Sequence, residues 1–217
     1  MQGYLEQAWG KGYDTAGAAQ LGNRIVNTKK LIGATECAAL LRSFGLQAKV
    51  VDFYSAKMSP QQLEARERQA AKERQNKPPK TNFKNSNSNG NNNGYWQLRY
   101  NKDKPKSPYK PNKQMLEWVW NYFSSKAPKS FDQKEKFVSP LYLQHEGHSR
   151  TIVGIEKRGN QLNLLIFDPS HDGGQILTDL KHFKMNKVKK SLDTFTRDKY
   201  QIVYLEEGVI EDEKQWK

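Results

Sequence analysis

Two of the four histidines, His145 and His148, stand three residues apart in Tyr142-Leu143-Gln144-His145-Glu146-Gly147-His148-Ser149-Arg150-Thr151, just before an apolar run. Histidine titrates near neutrality and is the commonest general base. It serves a thiol or hydroxyl nucleophile well when a carboxylate orients the ring and stabilises the imidazolium. Asp168 is the candidate carboxylate. "RTIVGIEK" and "QLNLLIFD", separated by Gly159-Asn160, read as an antiparallel pair, which puts His148 and Asp168 at the same end of a sheet.

Nearness is a weaker condition than facing, because side chains alternate across a strand. A two-residue turn pairs Arg158 with Gln161 and Thr151 with Asp168, which sends His148 to the opposite face. A shift of one residue brings the two together, so the pattern predicts an odd-length loop or a bulge. The bland alternative stays open: His148 as a loop histidine, Asp168-Pro169 as a turn initiator. His145, His171 and His182 read as surface or turn residues. No pair has ligand spacing with a third ligand, so neither a metal nor another cofactor is expected.

Cys37 is the only thiol. It falls in the first turn of a predicted helix, where free N–H groups favour a thiolate. It also belongs to the apolar face of Leu40, Leu41 and Phe44, where a buried cysteine behaves as a small hydrophobe. The packing role is the expectation. A single cysteine also excludes an internal disulfide and fits a reducing compartment.

These residues need a scaffold, and 217 residues supply one good-sized domain. Gln2 to Trp9 has helical spacing. Thr35 is placed to cap a helix reaching Phe44, followed by the strand "QAKVVDFY". Met115 to Ser124 reads as a helix with Leu116, Val119, Trp120 and Phe123 inward. After "SPLYLQ" and the strand pair come a helical region from about Thr178 to Thr196 and the strand "YQIVYLEE". Helices precede most strands, so the class is α+β with a largely antiparallel sheet.

The net charge is +13, but residues 56–113 carry ten Lys and four Arg against three Glu and one Asp, or +10. Basicity thus belongs to one segment, and non-specific nucleic-acid binding is an expectation for that segment alone. Its stretch "NKPPKTNFKNSNSNGNNNG" is nearly free of apolar groups and reads as a disordered insertion between a domain formed by 1–55 and 114–217. Gln61 to Gln75 suits a solvated helix without the apolar stripe of a ubiquitin-binding one, and "YWQLRY" suits a short strand or a linear motif. No run of ~18 apolar residues and no signal pattern occurs, so a soluble cytoplasmic or nuclear protein without membrane partners is expected.

"AWGKGYDTAGAAQL", "IGATE", "VVDF", "EWVWNYFSS", "YLQHEGHSRTIVGIE", "LLIFDPS" and "YQIVYLEEG" resemble, in this order, the zinc-finger-containing ubiquitin peptidases. These are papain-like deubiquitinases related to the ubiquitin-fold-modifier-specific cysteine proteases. The resemblance implies a papain-like cysteine-peptidase fold, with His148 as catalytic histidine, Asp168 as its carboxylate and Gln144 polarising the scissile carbonyl. It implies ubiquitin, polyubiquitin or a ubiquitin-like modifier as partner, with Asp14 and Glu36 receiving an arginine-bearing tail. Carboxylates suit that task, since they accept paired bonds from guanidinium. The family's nucleophile lies in a Trp-Gly-Cys-Gly-Tyr motif upstream of the helix that begins here at Met1. No such motif is present, and Cys37 is not at its position. The expectation is the C-terminal portion of a peptidase domain without its nucleophile helix, inert by itself, or else a ubiquitin-binding pseudoenzyme.

Overall fold

A computed structural model describes residues 1–65, 68, 107–126 and 137–212. The chain divides into two compact units, Met1–Ser55 with Pro111–Lys217, and Ala56–Lys110. Most of the basic segment lies outside the described residues, including the Asn-rich stretch, "YWQLRY" and most of the helix expected at Gln61 to Gln75. Of that helix, residues 60–65 are helical. In the smaller unit Lys57 and Tyr109 form an isolated antiparallel bridge.

The larger unit starts with three helices, α1 (Gln2–Gly10), α2 (Thr15–Gln20) and α3 (Ala34–Ser43), followed by β1 (Leu46–Tyr54). Next come α4 (Lys113–Lys126), β2 (Leu141–His145), β3 (His148–Arg158), β4 (Gln161–Phe167), α5 (Gly173–Lys181), β5 (Lys189–Ser191) and β6 (Lys199–Val209). The six strands form one sheet in the order β1-β6-β2-β3-β4-β5. Every neighbouring pair is antiparallel, so the fold is α+β as its pattern predicts.

Alternation sorts the sheet into two faces. One turns Leu141, Leu143, Ile152, Leu164, Ile166 and Ile202 onto Met115, Leu116 and Val119 of α4, forming the main core. The other turns Ala48 and Val203 onto Ala34 and Ala38 of α3, with Cys37, Leu41 and Tyr142 packed alongside. Alanines at these positions let the helix approach the strands closely. α1 and α2 form a smaller cluster of Leu5, Trp9, Ala18 and Ile25. The Glu6 carboxylate pins the loop after α2 by accepting from the Ile25 and Val26 N–H groups at 2.7 and 2.8 Å.

Two expectations are corrected here. Thr35 is not the cap of α3. The helix starts at Ala34 with Gly33 before it, and the Glu36 carboxylate reaches back to accept from the Gly33 N–H at 2.6 Å, which ties down the helix entry more directly than the threonine hydroxyl. The helical region expected from Thr178 to Thr196 is instead α5, ending at Lys181, followed by β5 and a short 3-10 turn, Leu192–Thr194. Asp172 starts α5 early by accepting from the Gln175 N–H at 2.7 Å. Phe183 then adopts a left-handed φ of 56°, ending the run, and Lys189–Ser191 pairs with β4.

Leu143 is fully buried at the centre of the α4 face. Leu143→Ala is expected to cost about 2–5 kcal/mol through lost transfer energy plus a cavity, read as a fall in the urea midpoint at unchanged slope.

Candidate functional site

Strand alternation and one irregularity build the site. The Gly159-Asn160 turn has two residues and pairs Arg158 with Gln161, the arrangement that by itself would separate His148 from Asp168. Further along, Ile152 faces Ile166 while Gly154 faces Leu165, so Val153 is an extra residue in β3. The register slips by one, Thr151 comes opposite Phe167, and Arg150 comes opposite Asp168. His148, two residues from Arg150, therefore shares the face of Asp168. The irregularity that the sequence demanded is a bulge within the strand.

At the other end of β3 a second tight hairpin positions His148. Glu146 and Gly147 have φ of 40° and 76°, the positive pair that a two-residue hairpin turn requires, so His145 pairs directly with His148. Arg197 braces this turn through a 3.1 Å ion pair with Glu146. The His145 and His148 ring centroids are 5.5 Å apart. His148 is exposed.

His145 is not the surface residue the sequence suggests. It is 7% exposed, packed edge-on against Tyr200, and its Nε2 contacts the Arg150 guanidinium. Burial, reinforced by the charge of Arg150, pushes this imidazole down to about 4. The Asp168 carboxylate accepts from Arg150 Nε at 2.5 Å and from the Ser170 N–H at 3.0 Å. Burial alone would raise its pKa, but the bonds from Arg150 and Ser170 outweigh that and hold it well below the usual carboxylate range. Among the described residues Asp168 thus contacts Arg150, and His148 stands as its diagonal neighbour. A diagonal pair lies roughly 7–8 Å apart, within reach of long side chains.

Gln144 pairs with Ser149 and Gln201, so it turns to the α3 face, opposite His148 but at the same strand end. Its Oε1 accepts from the Tyr142 hydroxyl, which leaves the amide N–H groups pointing away as donors. Burial raises the Tyr142 pKa far above the ordinary phenol value, so the hydroxyl keeps its proton. Cys37 lies against that hydroxyl. Burial raises the thiol pKa, only partly offset by a hydrogen bond with Tyr142, which is the reverse of activation. Between α5 and the ends of β2, β3 and β4, on the α3 face, runs a groove of about 620 Å³ lined by Tyr142, Ser149, Thr151, Phe167, Asp168 and Ile176, among others. His171 also lines it, while His182 ends α5 in solvent.

Asp14 and Glu36 lie on the helical side, and Glu36 is near enough for its charge to act on Asp14, Cys37 and Tyr142. Asp14 caps α2 from a left-handed φ of 49°, its Oδ1 accepting from the Gly17 N–H at 3.1 Å. Its Oδ2 is buried and finds no hydrogen-bond donor among the described residues. Burial raises its pKa, the Gly17 bond opposes that, and the neighbouring charges of Glu36 and Arg42 pull in opposite directions. The carboxylate lies so close over Gly17 that a Cβ there would come within 2.2 Å of Oδ2. Among the described residues no group of three His, Cys, Asp or Glu could hold a metal, and no helix is long and apolar enough to cross a membrane.

Comparison with known proteins places the chain among peptidases. Residues 1–203 match the model of peptidase family C78, and the chain belongs to that family. Zinc finger-containing ubiquitin peptidase 1 of Macaca fascicularis is 30% identical over 219 residues, covering 99% of this chain and 29% of that protein. The Homo sapiens protein of the same name is 29% identical with the same coverage. The chain therefore spans less than a third of these relatives. The crystal structure of UfSP from C. elegans is similar at a TM-score of 0.39 and 13% identity, over 92% of this chain and 25% of that one.

The neutrality of His145 has a measurable consequence. The unfolded imidazole binds a proton near pH 6.5, whereas the folded one resists until about 4. Its contribution is complete above pH 6.5 and is lost as pH falls towards 4. Unfolding free energy should drop by roughly 1–3 kcal/mol across that window. His145→Gln should flatten this limb in urea titrations at successive pH values, and equal slopes in both proteins would show that His145 is not held neutral.

Proposed function

We propose that the chain carries the base side of a papain-like, cysteine-type deubiquitinase that cleaves isopeptide bonds of ubiquitin or a ubiquitin-like modifier. The nucleophilic thiol comes from outside these 217 residues. The observation that carries this reading is the bulge at Val153, which puts an exposed histidine and an ionised aspartate on one face, with Asp168 also at the rim of the groove that opens on the other. Membership of a peptidase family and relatives named as ubiquitin peptidases support it.

In the proposed reaction His148 takes the thiol proton, the thiolate adds to the isopeptide carbonyl, and the imidazolium returns the proton to the leaving lysine amine. Water, deprotonated by the same imidazole, then hydrolyses the thioester. Asp168 stabilises the imidazolium after a modest side-chain rotation. Because Gln144 and His148 flank one strand end from opposite faces, the acyl group lies across that end with its oxygen towards the Gln144 amide. Asp14 Oδ2, a buried acceptor lacking a donor, suits a guanidinium from the substrate tail, with Glu36 adding negative charge. Cys37 is a packing residue. That same acceptor favours a second reading, a ubiquitin-binding module without turnover.

A ubiquitin bearing a thiol-reactive C-terminus separates these readings. The chain and its Cys37→Ala variant should both remain unlabelled. The chain extended at its N-terminus by a Trp-Gly-Cys-Gly-Tyr helix from an active relative should label, and should lose labelling with His148→Ala. Asp14→Asn should weaken ubiquitin binding about tenfold through loss of a charge-assisted bond. Labelling of the unextended chain that depends on Cys37 would sink the assignment, and an extended chain that binds ubiquitin without ever labelling would favour the binding module.

A further inference from the structure

We infer that Arg150 and the buried His145 form a positioning relay that fixes Asp168 for His148, an inference that rests on the proposed role of the His148–Asp168 pair. The relay is built from three contacts. Arg150 Nε donates to Asp168 Oδ2 at 2.5 Å, Arg150 Nη1 meets His145 Nε2, and the Ser170 N–H donates to Asp168 Oδ1 at 3.0 Å. Both carboxylate oxygens are thereby tethered, which leaves their remaining lone pairs for a diagonal approach by His148.

The chemistry of the guanidinium dictates the state of His145. Arginine only donates, so the ring nitrogen it meets must present a lone pair, and the proton of the neutral ring lies on Nδ1. Nδ1 is buried and has no hydrogen-bond partner among the described residues. A second cation here would face Arg150 in the same contact and stand one ring from His148. A neutral His145 lets His148 become an imidazolium without a charged histidine beside it, while Arg150 and Asp168 cancel each other. Sequence position makes the arrangement self-consistent. His145, His148 and Arg150 all occupy the α4 face, because the two-residue turn pairs His145 with His148 and Arg150 follows two residues later. Lysine at position 150 could not reproduce it, since a single ammonium lacks the planar fork that spans carboxylate and imidazole.

The test uses two readouts. Long-range proton–nitrogen spectra of the histidine rings in the 217-residue chain should show His145 as the Nδ1–H tautomer at neutral pH, a preference lost in Arg150→Met. In the extended, nucleophile-bearing chain, Arg150→Met should lower kcat about tenfold or more while KM changes by less than about threefold, and Arg150→Lys should recover only part of the loss. An unchanged His145 tautomer in Arg150→Met overturns the relay. So does a changed tautomer with unaltered kcat, which would make the contact structural only. If the extended chain with all native residues never turns over, the proposed function fails, and the catalytic meaning of the relay with it. The ring spectra still report the contact, so the two failures are told apart.

Discussion

One extra residue in β3 decides the chemistry available to this protein. Without Val153 in the ladder, the two-residue turn at Gly159-Asn160 would put His148 on the α3 face and Asp168 on the α4 face, separated by the sheet. With it, His145, His148, Arg150 and Asp168 gather at the end of the main core. Placement over that core has a second effect. Ile166, Phe195 and Tyr200, which pack with the core, also wall the small cavity that His145, Arg150 and Asp168 line. The low-dielectric surroundings that stabilise the fold are thus the ones that hold His145 neutral and strengthen the pairing of Arg150 with Asp168.

The sheet also separates two kinds of task. The α4 face holds the titratable His145, His148 and Asp168 with Arg150, and the α3 face holds a neutral network in which the Tyr142 hydroxyl orients the Gln144 amide and contacts the Cys37 thiol. Small side chains under α3 bring that helix close enough for Cys37 to reach Tyr142. The closeness desolvates the thiol, and a desolvated thiol without a cationic neighbour remains protonated. Packing therefore assigns Cys37 its role more firmly than its place in the first turn of a helix, where the dipole alone would favour a thiolate.

Much of this was legible in the sequence because alternation and hairpin spacing are local. The α+β class, the β3–β4 pair and the need for an irregularity between them follow from apolar periodicity and the count of residues from Gly159 to His148. The location of the bulge did not follow. A glycine next to a valine inside an apolar strand is a weak signal until the partner strand is in view. The buried state of His145 was hidden for a similar reason, since it depends on Tyr200, more than fifty positions away, packing against the ring. An available hint was Glu-Gly between the histidines, a dipeptide compatible with a tight hairpin, which would have put His145 inside a strand. The amphipathic pattern after Thr178 hides the true start of α5, which is set further upstream by the Asp172 side chain accepting from the Gln175 N–H.

An ion pair drawn even partly out of water is weak support for stability, because desolvation offsets much of the attraction between the partners. The Arg150–Asp168 pair therefore needs another account, and its geometry provides one. A hydrophobic pair at these positions would fill the same space, yet it would present no ionised oxygen to His148 and no donor to His145. The guanidinium is the one side chain that carries a permanent charge, binds a carboxylate edge and still has N–H groups for an imidazole. Among the described residues the buried imidazole has no hydrogen-bond partner besides Arg150, and the two contacts to Asp168 and His145 together hold the guanidinium in one orientation. Orientation is thus what the pair contributes, and it is set by a histidine that never needs to exchange a proton.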